Sequence, residues 1–153
     1  MQNLNLTWKN GSNKFISKSE KETFALGNCL AEKLFEGCIV AFFGDLGVGK
    51  TTLIKGILNF FKVKKTKVTS PTFTYLHVYP VKDVDIYHFD LYRLHDSGEF
   101  LSMGFDEYLN KNICLIEWAE KIKDILPANV ITCSIKHQLQ STMREIIISY
   151  GPS

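Results

Sequence analysis

Apolar positions along the chain fall into blocks that switch between helical and strand spacing. After the polar start Ser19-Glu20-Lys21-Glu22, a capping box, the residues Phe24, Leu26, Leu30, Ala31, Leu34 and Phe35 recur on one side of a helix. Gly37 marks its stop. Cys38-Ile39-Val40-Ala41-Phe42-Phe43 is a continuous apolar run, as expected for a strand covered on both faces. Leu53, Ile54, Ile57, Leu58 and Phe61 return to the helical period and predict a helix over 50–61. Residues 72–81 and 84–92 are rich in aromatic and β-branched side chains. With Lys82-Asp83 between them, they predict an antiparallel hairpin. Residues 96–110 read as short helical turns broken at Gly98 and Gly104. Ile113–Ile116 is a second buried-type strand, ended by Glu117, and a helix is expected from Trp118 to Leu126, stopped by Pro127. Strands over 130–136 and 144–150 follow, joined by a polar loop, and 4–15 holds a short strand with Asn10-Gly11 as its turn. The basic connector 62–67 reads as a solvated loop or a partner contact.

Between the first apolar strand and its helix lies Gly44-Asp45-Leu46-Gly47-Val48-Gly49-Lys50-Thr51-Thr52. This is G-x-x-x-x-G-K-T, the phosphate-binding loop. Its glycines let the backbone wrap so that successive N–H groups converge, and the following helix adds its positive end. Lys50 reaches the β- and γ-phosphates, and the Thr51 hydroxyl suits Mg²⁺. The element order mixes βαβ units with a hairpin. It predicts one α/β domain over 1–153, a P-loop NTPase-like fold. Its mixed, mainly parallel sheet is flanked by helices and carries an antiparallel hairpin.

Composition narrows the class little. The 153 residues carry a net charge of +2, so bulk charge gives no strong attraction to polyanions. Cys29, Cys38, Cys114 and Cys133 are far apart in apolar contexts, without a C-x-x-C pair, and read as buried reduced thiols rather than a zinc site. No apolar run is long enough to span a membrane, and the first residues lack a secretory pattern. A cytoplasmic protein is expected. Arginine is scarce: only Arg93 and Arg144 occur, so few are at hand to stabilise a transferring phosphoryl group.

A phosphate loop needs a second oxygen ligand for Mg²⁺ and a group to orient water. Both usually come from acids at strand ends. Glu117 ends the run Ile113–Ile116, and Asp90 ends Val84–Phe89. Each is a catalytic and metal-ligand candidate. The competing readings are a helix N-terminal acid for Glu117 and a turn or salt-bridge acid for Asp90. His88 and Asp90 alternate on a strand and share a face, which Tyr92 continues. Ser70-Pro71-Thr72 is either a switch-like loop that senses phosphate or an ordinary Ser-Pro turn. His77 and His95 read as plain surface histidines.

In order and spacing, the phosphate loop, Ser70-Pro71-Thr72-Phe73, His88-Phe89-Asp90-Leu91-Tyr92-Arg93-Leu94 and Ile116-Glu117-Trp118-Ala119-Glu120-Lys121 resemble the TsaE (YjeE) family over about residues 18–150. These are small bacterial P-loop ATPases needed for threonylcarbamoyladenosine modification of tRNA. The resemblance implies ATP and Mg²⁺ as ligands, with ATP preferred to GTP. It implies TsaB and TsaD as partners, which with TsaC make the group on adenosine 37, and tRNA reached through that complex. Carried onto this chain, it places Lys50 on the β- and γ-phosphates and Thr51 and Glu117 on Mg²⁺. Asp90 orients water or metal, and Thr72 belongs to a switch-like loop. Trp118 and the His88–Arg93 strip lie near nucleotide or partner. Arg144 approaches the base, or else is an edge-strand charge. Val48 stands where many members have Ala, a mild departure because the loop works through its backbone.

A small-molecule kinase of the P-loop class is disfavoured by the two arginines, since such kinases carry an arginine-bearing lid. A GTPase-like regulator is disfavoured by the absence of N-K-x-D. A nucleotide-switch subunit without turnover stays open.

Overall fold

The continuous apolar runs become the middle of a seven-stranded sheet. A computed structural model describes residues 11–64, 68, 74–139 and 142–151. In chain order the elements are β1 (Ser12–Ser17), α1 (Glu20–Ala31), β2 (Ile39–Phe43), α2 (Lys50–Phe60), β3 (Leu76–Pro80), β4 (Asp85–Asp90), α3 (Ser97–Ser102), β5 (Ile113–Glu117), β6 (Ile131–His137) and β7 (Arg144–Tyr150). Short 3₁₀ helices occupy Phe105–Tyr108 and Ala119–Ile125. The sheet order is β1-β7-β6-β2-β5-β4-β3. Strands β6, β2, β5 and β4 run parallel, while β7, β1 and β3 join by antiparallel pairing. The mixed α/β sheet and the hairpin are as the sequence predicts.

Alternation along the strands splits the core between the two faces. Val40 and Phe42 of β2, Leu115 of β5 and Cys133 of β6 pack beneath α1 and α2 with Leu30, Leu53 and Ile57. Ile39, Ala41, Phe89 and Ile116 face the other way, under Phe100, Ala119 and Ile122. All four cysteines are free thiols, and three are buried. Burial pushes the Cys114 thiol up to about 12 and raises Cys133 as well, which keeps both uncharged.

The capping box forms: Ser19 Oγ accepts from the Glu22 N–H at 3.1 Å, and Glu22 reaches back to the Lys18 N–H at 2.7 Å. Helix α1 stops at Ala31, short of Gly37. The N–H groups of Lys33 and Leu34 bond to Leu30 and Ala31 carbonyls in two tight turns, which leaves Phe35 exposed. Gly98 lies inside α3, because the Asp96 side chain caps that helix two residues earlier. The stretch after Trp118 is 3₁₀, with Ile122 at non-helical φ −128°, not an α-helix. Strand pairing begins at Ser12, and residues 1–10 of the expected first strand lie outside the described residues.

Helices α1 and α2 cross at paired glycines. A Cβ on Gly56 would stand 2.1 Å from the Phe24 carbonyl oxygen, and one on Gly27 would stand 2.2 Å from that of Leu53. Such contacts with backbone cannot be relieved by a rotamer change, so the glycines fix the depth at which α2 sits on α1. Gly56→Ala should therefore destabilise the fold by about 1–3 kcal/mol, the usual cost of overpacking. The exposed neighbour Lys55 should tolerate alanine within about 0.5 kcal/mol. Urea unfolding of the two variants checks this; equal midpoints would mean that the helices slide apart freely.

Candidate functional site

Parallel pairing in the order β2-β5-β4 brings three strand ends side by side. From β2 the chain enters the glycine loop, β5 ends at Glu117 and β4 ends at Asp90. This is the carboxyl edge where open α/β sheets take ligands. Register places Asp90 directly opposite Glu117.

Gly44, Gly47 and Gly49 all adopt positive φ, at 145°, 74° and 116°. Gly49 caps α2, and Lys50 is its first residue. The Lys50 ammonium donates to the Gly44 carbonyl and, at 3.0 Å, to the Asp45 carbonyl. It also lies 4.0 Å from the centre of the Trp118 ring. Burial pulls the Lys50 pKa below its ordinary value, while the carboxylates of Glu117, Glu120, Asp90 and Asp45 pull the other way. A cation held on carbonyls at the head of a glycine loop, beside the N-terminus of α2, suits an anion.

Glu117 is 3% exposed, and its two oxygens are divided. Oε1 accepts from the Thr51 hydroxyl at 3.0 Å, and Oε2 meets His88 Nε2 at 2.7 Å. Asp90 is also buried, and its Oδ1 accepts from the Tyr92 N–H at 3.0 Å. Lys50, Thr51, Asp90 and Glu117 thus converge as expected. His88 was legible only as a neighbour of Asp90 on one face; its bond to Glu117 needed the strand order. Tyr92 lies past the end of β4 and packs against Trp118, the rings tilted by 52° with centroids 5.0 Å apart. Trp118 itself takes a left-handed conformation, φ 58°, which turns the chain sharply after the buried acid.

A cavity of about 380 Å³ opens over these groups, lined by residues 46–52 together with Asp90, Tyr92, Glu117, Trp118 and Arg144. Glu20 lines it too, and nothing in its sequence context marked it. Gly44 and Asp45 face a neighbouring cavity, about 410 Å³, with Lys136 and His137. Arg144 begins β7, which lies between β1 and β6, so it is not an edge-strand charge. Its Nε donates to the Val48 carbonyl at 2.6 Å. A Cβ on Gly49 would meet that nitrogen at 3.3 Å. The arginine braces the loop from the wall of the cavity. Ser70, Pro71, Thr72 and Phe73 lie outside the described residues. His95 is exposed as expected, whereas His77 is half-buried against Tyr79.

The chain matches, over residues 17–146, the family model described as threonylcarbamoyl adenosine biosynthesis protein TsaE. It belongs to the TsaE family. Relatives called tRNA threonylcarbamoyladenosine biosynthesis protein TsaE are similar over most of its length. That of Rickettsia conorii is 42% identical over 118 residues, 77% of this chain and 67% of the relative. That of Treponema pallidum is 34% identical over 135 residues, 88% and 98% of the two chains. Among solved structures, the crystal structure of Bacillus subtilis YdiB superposes with a TM-score of 0.77 at 30% identity, covering 92% of this chain and 86% of that one. Among the described residues, no helix is long and apolar enough to cross a membrane. No three His, Cys, Asp or Glu side chains there gather as a self-sufficient metal site. The oxygens of Thr51 and Glu117 are hard donors on a shared edge with Asp90. They suit a cation such as Mg²⁺, which takes one or two protein oxygens and completes its shell from phosphates and water.

The opposing influences on Lys50 give a test. A lysine whose folded pKa is depressed binds fewer protons folded than unfolded between the two values, so stability rises with pH across that interval. Compared with Lys50→Met, the wild type should therefore gain in relative stability as pH rises towards 10.5, the ordinary lysine value. Chemical unfolding of both proteins across alkaline pH reads this difference. A relative loss would mean that the four carboxylates outweigh burial.

Proposed function

We propose that this TsaE-family chain binds and hydrolyses Mg·ATP in support of N6-threonylcarbamoyladenosine formation at position 37 of tRNA. It acts in the cytoplasm with TsaB and TsaD and reaches tRNA through them. The observation that carries this reading is the joining of the Thr51 hydroxyl to the buried Glu117 carboxylate at the mouth of the glycine loop, 3.0 Å apart. Those are the two oxygens a phosphate-bound cation requires beside a phosphate loop.

On this reading the loop N–H groups and the start of α2 hold the β- and γ-phosphates. Lys50 stays on the loop carbonyls and sets its charge against the phosphoryl oxygens, where negative charge builds up in the transition state. Thr51 and Glu117 would hold Mg²⁺, which when bound would supply charge neutralisation at the phosphates. Asp90, one strand further along the same edge, orients the attacking water. Arg144 keeps the loop in shape through Val48. Trp118 and Tyr92 form the aromatic wall facing the nucleotide. The identity of the nucleotide as ATP rather than GTP rests on the family.

Two expected outcomes follow. Lys50→Ala should lower Mg·ATP turnover by at least about 100-fold, the scale of losing one preorganised charge-stabilising donor. Glu117→Ala should impair Mg²⁺-dependent turnover far more than nucleotide docking. Phosphate release is measured with and without an added TsaB–TsaD pair, alongside a competition titration of ATP against GTP. Low basal turnover that rises with the pair is the expected result. Turnover indifferent to the pair but stimulated by a small acceptor would make the chain a kinase, and binding without any turnover would make it a nucleotide-switch subunit.

A further inference from the structure

His88 is fully buried, one strand away from the oxygen pair just described. Its ring lies nearly parallel to that of Tyr79, 26° apart with centroids at 6.4 Å. Among the described residues its Nδ1 is the buried side-chain nitrogen or oxygen that has no hydrogen-bond partner. A buried donor without an acceptor costs more than a lone pair left bare against apolar groups. The hydrogen therefore belongs on Nε2, where it is donated to Glu117 Oε2 at 2.7 Å.

We propose that His88 is a positioning residue for the metal-binding carboxylate. Its Nε2–H pins Oε2 of Glu117, so that Oε1 alone is presented at the Thr51 hydroxyl and the cation site. The geometry supports this in two ways. The two carboxylate oxygens are addressed from different elements, β4 and α2, which fixes the plane of the group and not just its location. His88 does not itself line the cavity, whereas its partner Glu117 does, so its influence on the site runs through Glu117. Groups that orient a ligating side chain in this way are typically worth 10–100-fold in metal affinity.

The proposal rests on the Mg·nucleotide reading, and the test keeps the two separate. Binding of a fluorescent ADP analogue is titrated in EDTA and then against MgCl₂, for the wild type, His88→Gln and His88→Asn. Glutamine can place an N–H close to the position of Nε2, whereas the shorter asparagine cannot. His88→Asn should leave affinity in EDTA unchanged and raise the Mg²⁺ needed for half-effect by about 10-fold. His88→Gln should stay within about threefold of the wild type. Equal Mg²⁺ requirements in all three proteins, or equal impairment in both variants, would overturn the positioning role while leaving nucleotide binding intact. Failure of the wild type to bind nucleotide in either condition would overturn the underlying reading, and the proposal with it. Should His88→Asn not fold, ¹⁵N spectra of histidine-labelled wild type decide. A buried imidazole protonated at Nε2 and bare at Nδ1 is expected, and a bare Nε2 would overturn the assignment.

Discussion

Everything at the carboxyl edge of this sheet depends on keeping one carboxylate in a dry place. Moving such a charge out of water costs several kcal/mol after relaxation, and only well-made bonds offset it. Glu117 meets that demand with one partner on each oxygen, Thr51 from α2 and His88 from β4. The pairing needs β5 to lie between β2 and β4, with α2 pressed close to the sheet. Strand order and the glycine contact between α1 and α2 both serve that geometry. Helices set further from the sheet would carry Thr51 away from Glu117 and leave one oxygen of the acid without its partner.

The cation of the site is held by a different balance. Lys50 is desolvated beside four acids and rests on two backbone carbonyls and an aromatic face. None of these contacts uses up the acids themselves. Glu117 is engaged by Thr51 and His88 and not by Lys50, so the lysine charge stays available to an incoming anion. Trp118 fits this arrangement through its backbone. The left-handed turn at φ 58° lets one residue follow directly on the buried acid and still bring its ring over the ammonium.

Much of this was legible in the sequence, because it rests on local rules. Continuous apolar runs gave the central strands, and G-x-x-x-x-G-K-T between strand and helix gave the loop. The acids that ended those runs, Asp90 and Glu117, had to fall on the same edge once the strands were parallel. What escaped depends on contacts between distant segments. Arg144 read as a base contact or an edge charge; it sits on an inner strand, lines the cavity and bonds to Val48, 96 residues away along the chain. His88 was placed on the right face without a partner, since pairing to Glu117 is a consequence of sheet order. Gly27 and Gly56 sat inside helical patterns where glycine is costly, a signal of close packing whose partner the pattern did not name. The early end of α1 follows from tight turns at Leu30 and Ala31, where helical spacing of Leu34 and Phe35 pointed the other way.

The distribution of positive charge bears on how such a site would turn over. Among the described residues, Arg93 is exposed beyond the end of β4, and Arg144 spends its Nε on the loop carbonyl. Arg93 does not line the cavity and Arg144 does; an arginine set against the phosphoryl group is what accelerates hydrolysis in P-loop chemistry by several orders of magnitude. Lys50 and the loop N–H groups serve binding and catalysis alike, so much of their stabilisation is already present in the ground state and does little for rate. On the proposed reading, a slow isolated enzyme is the natural consequence. On the same reading, further transition-state charge, or a closure that dries the cavity and strengthens the charges already there, would come from the proposed TsaB–TsaD partners. Hydrolysis would then report docking of those partners.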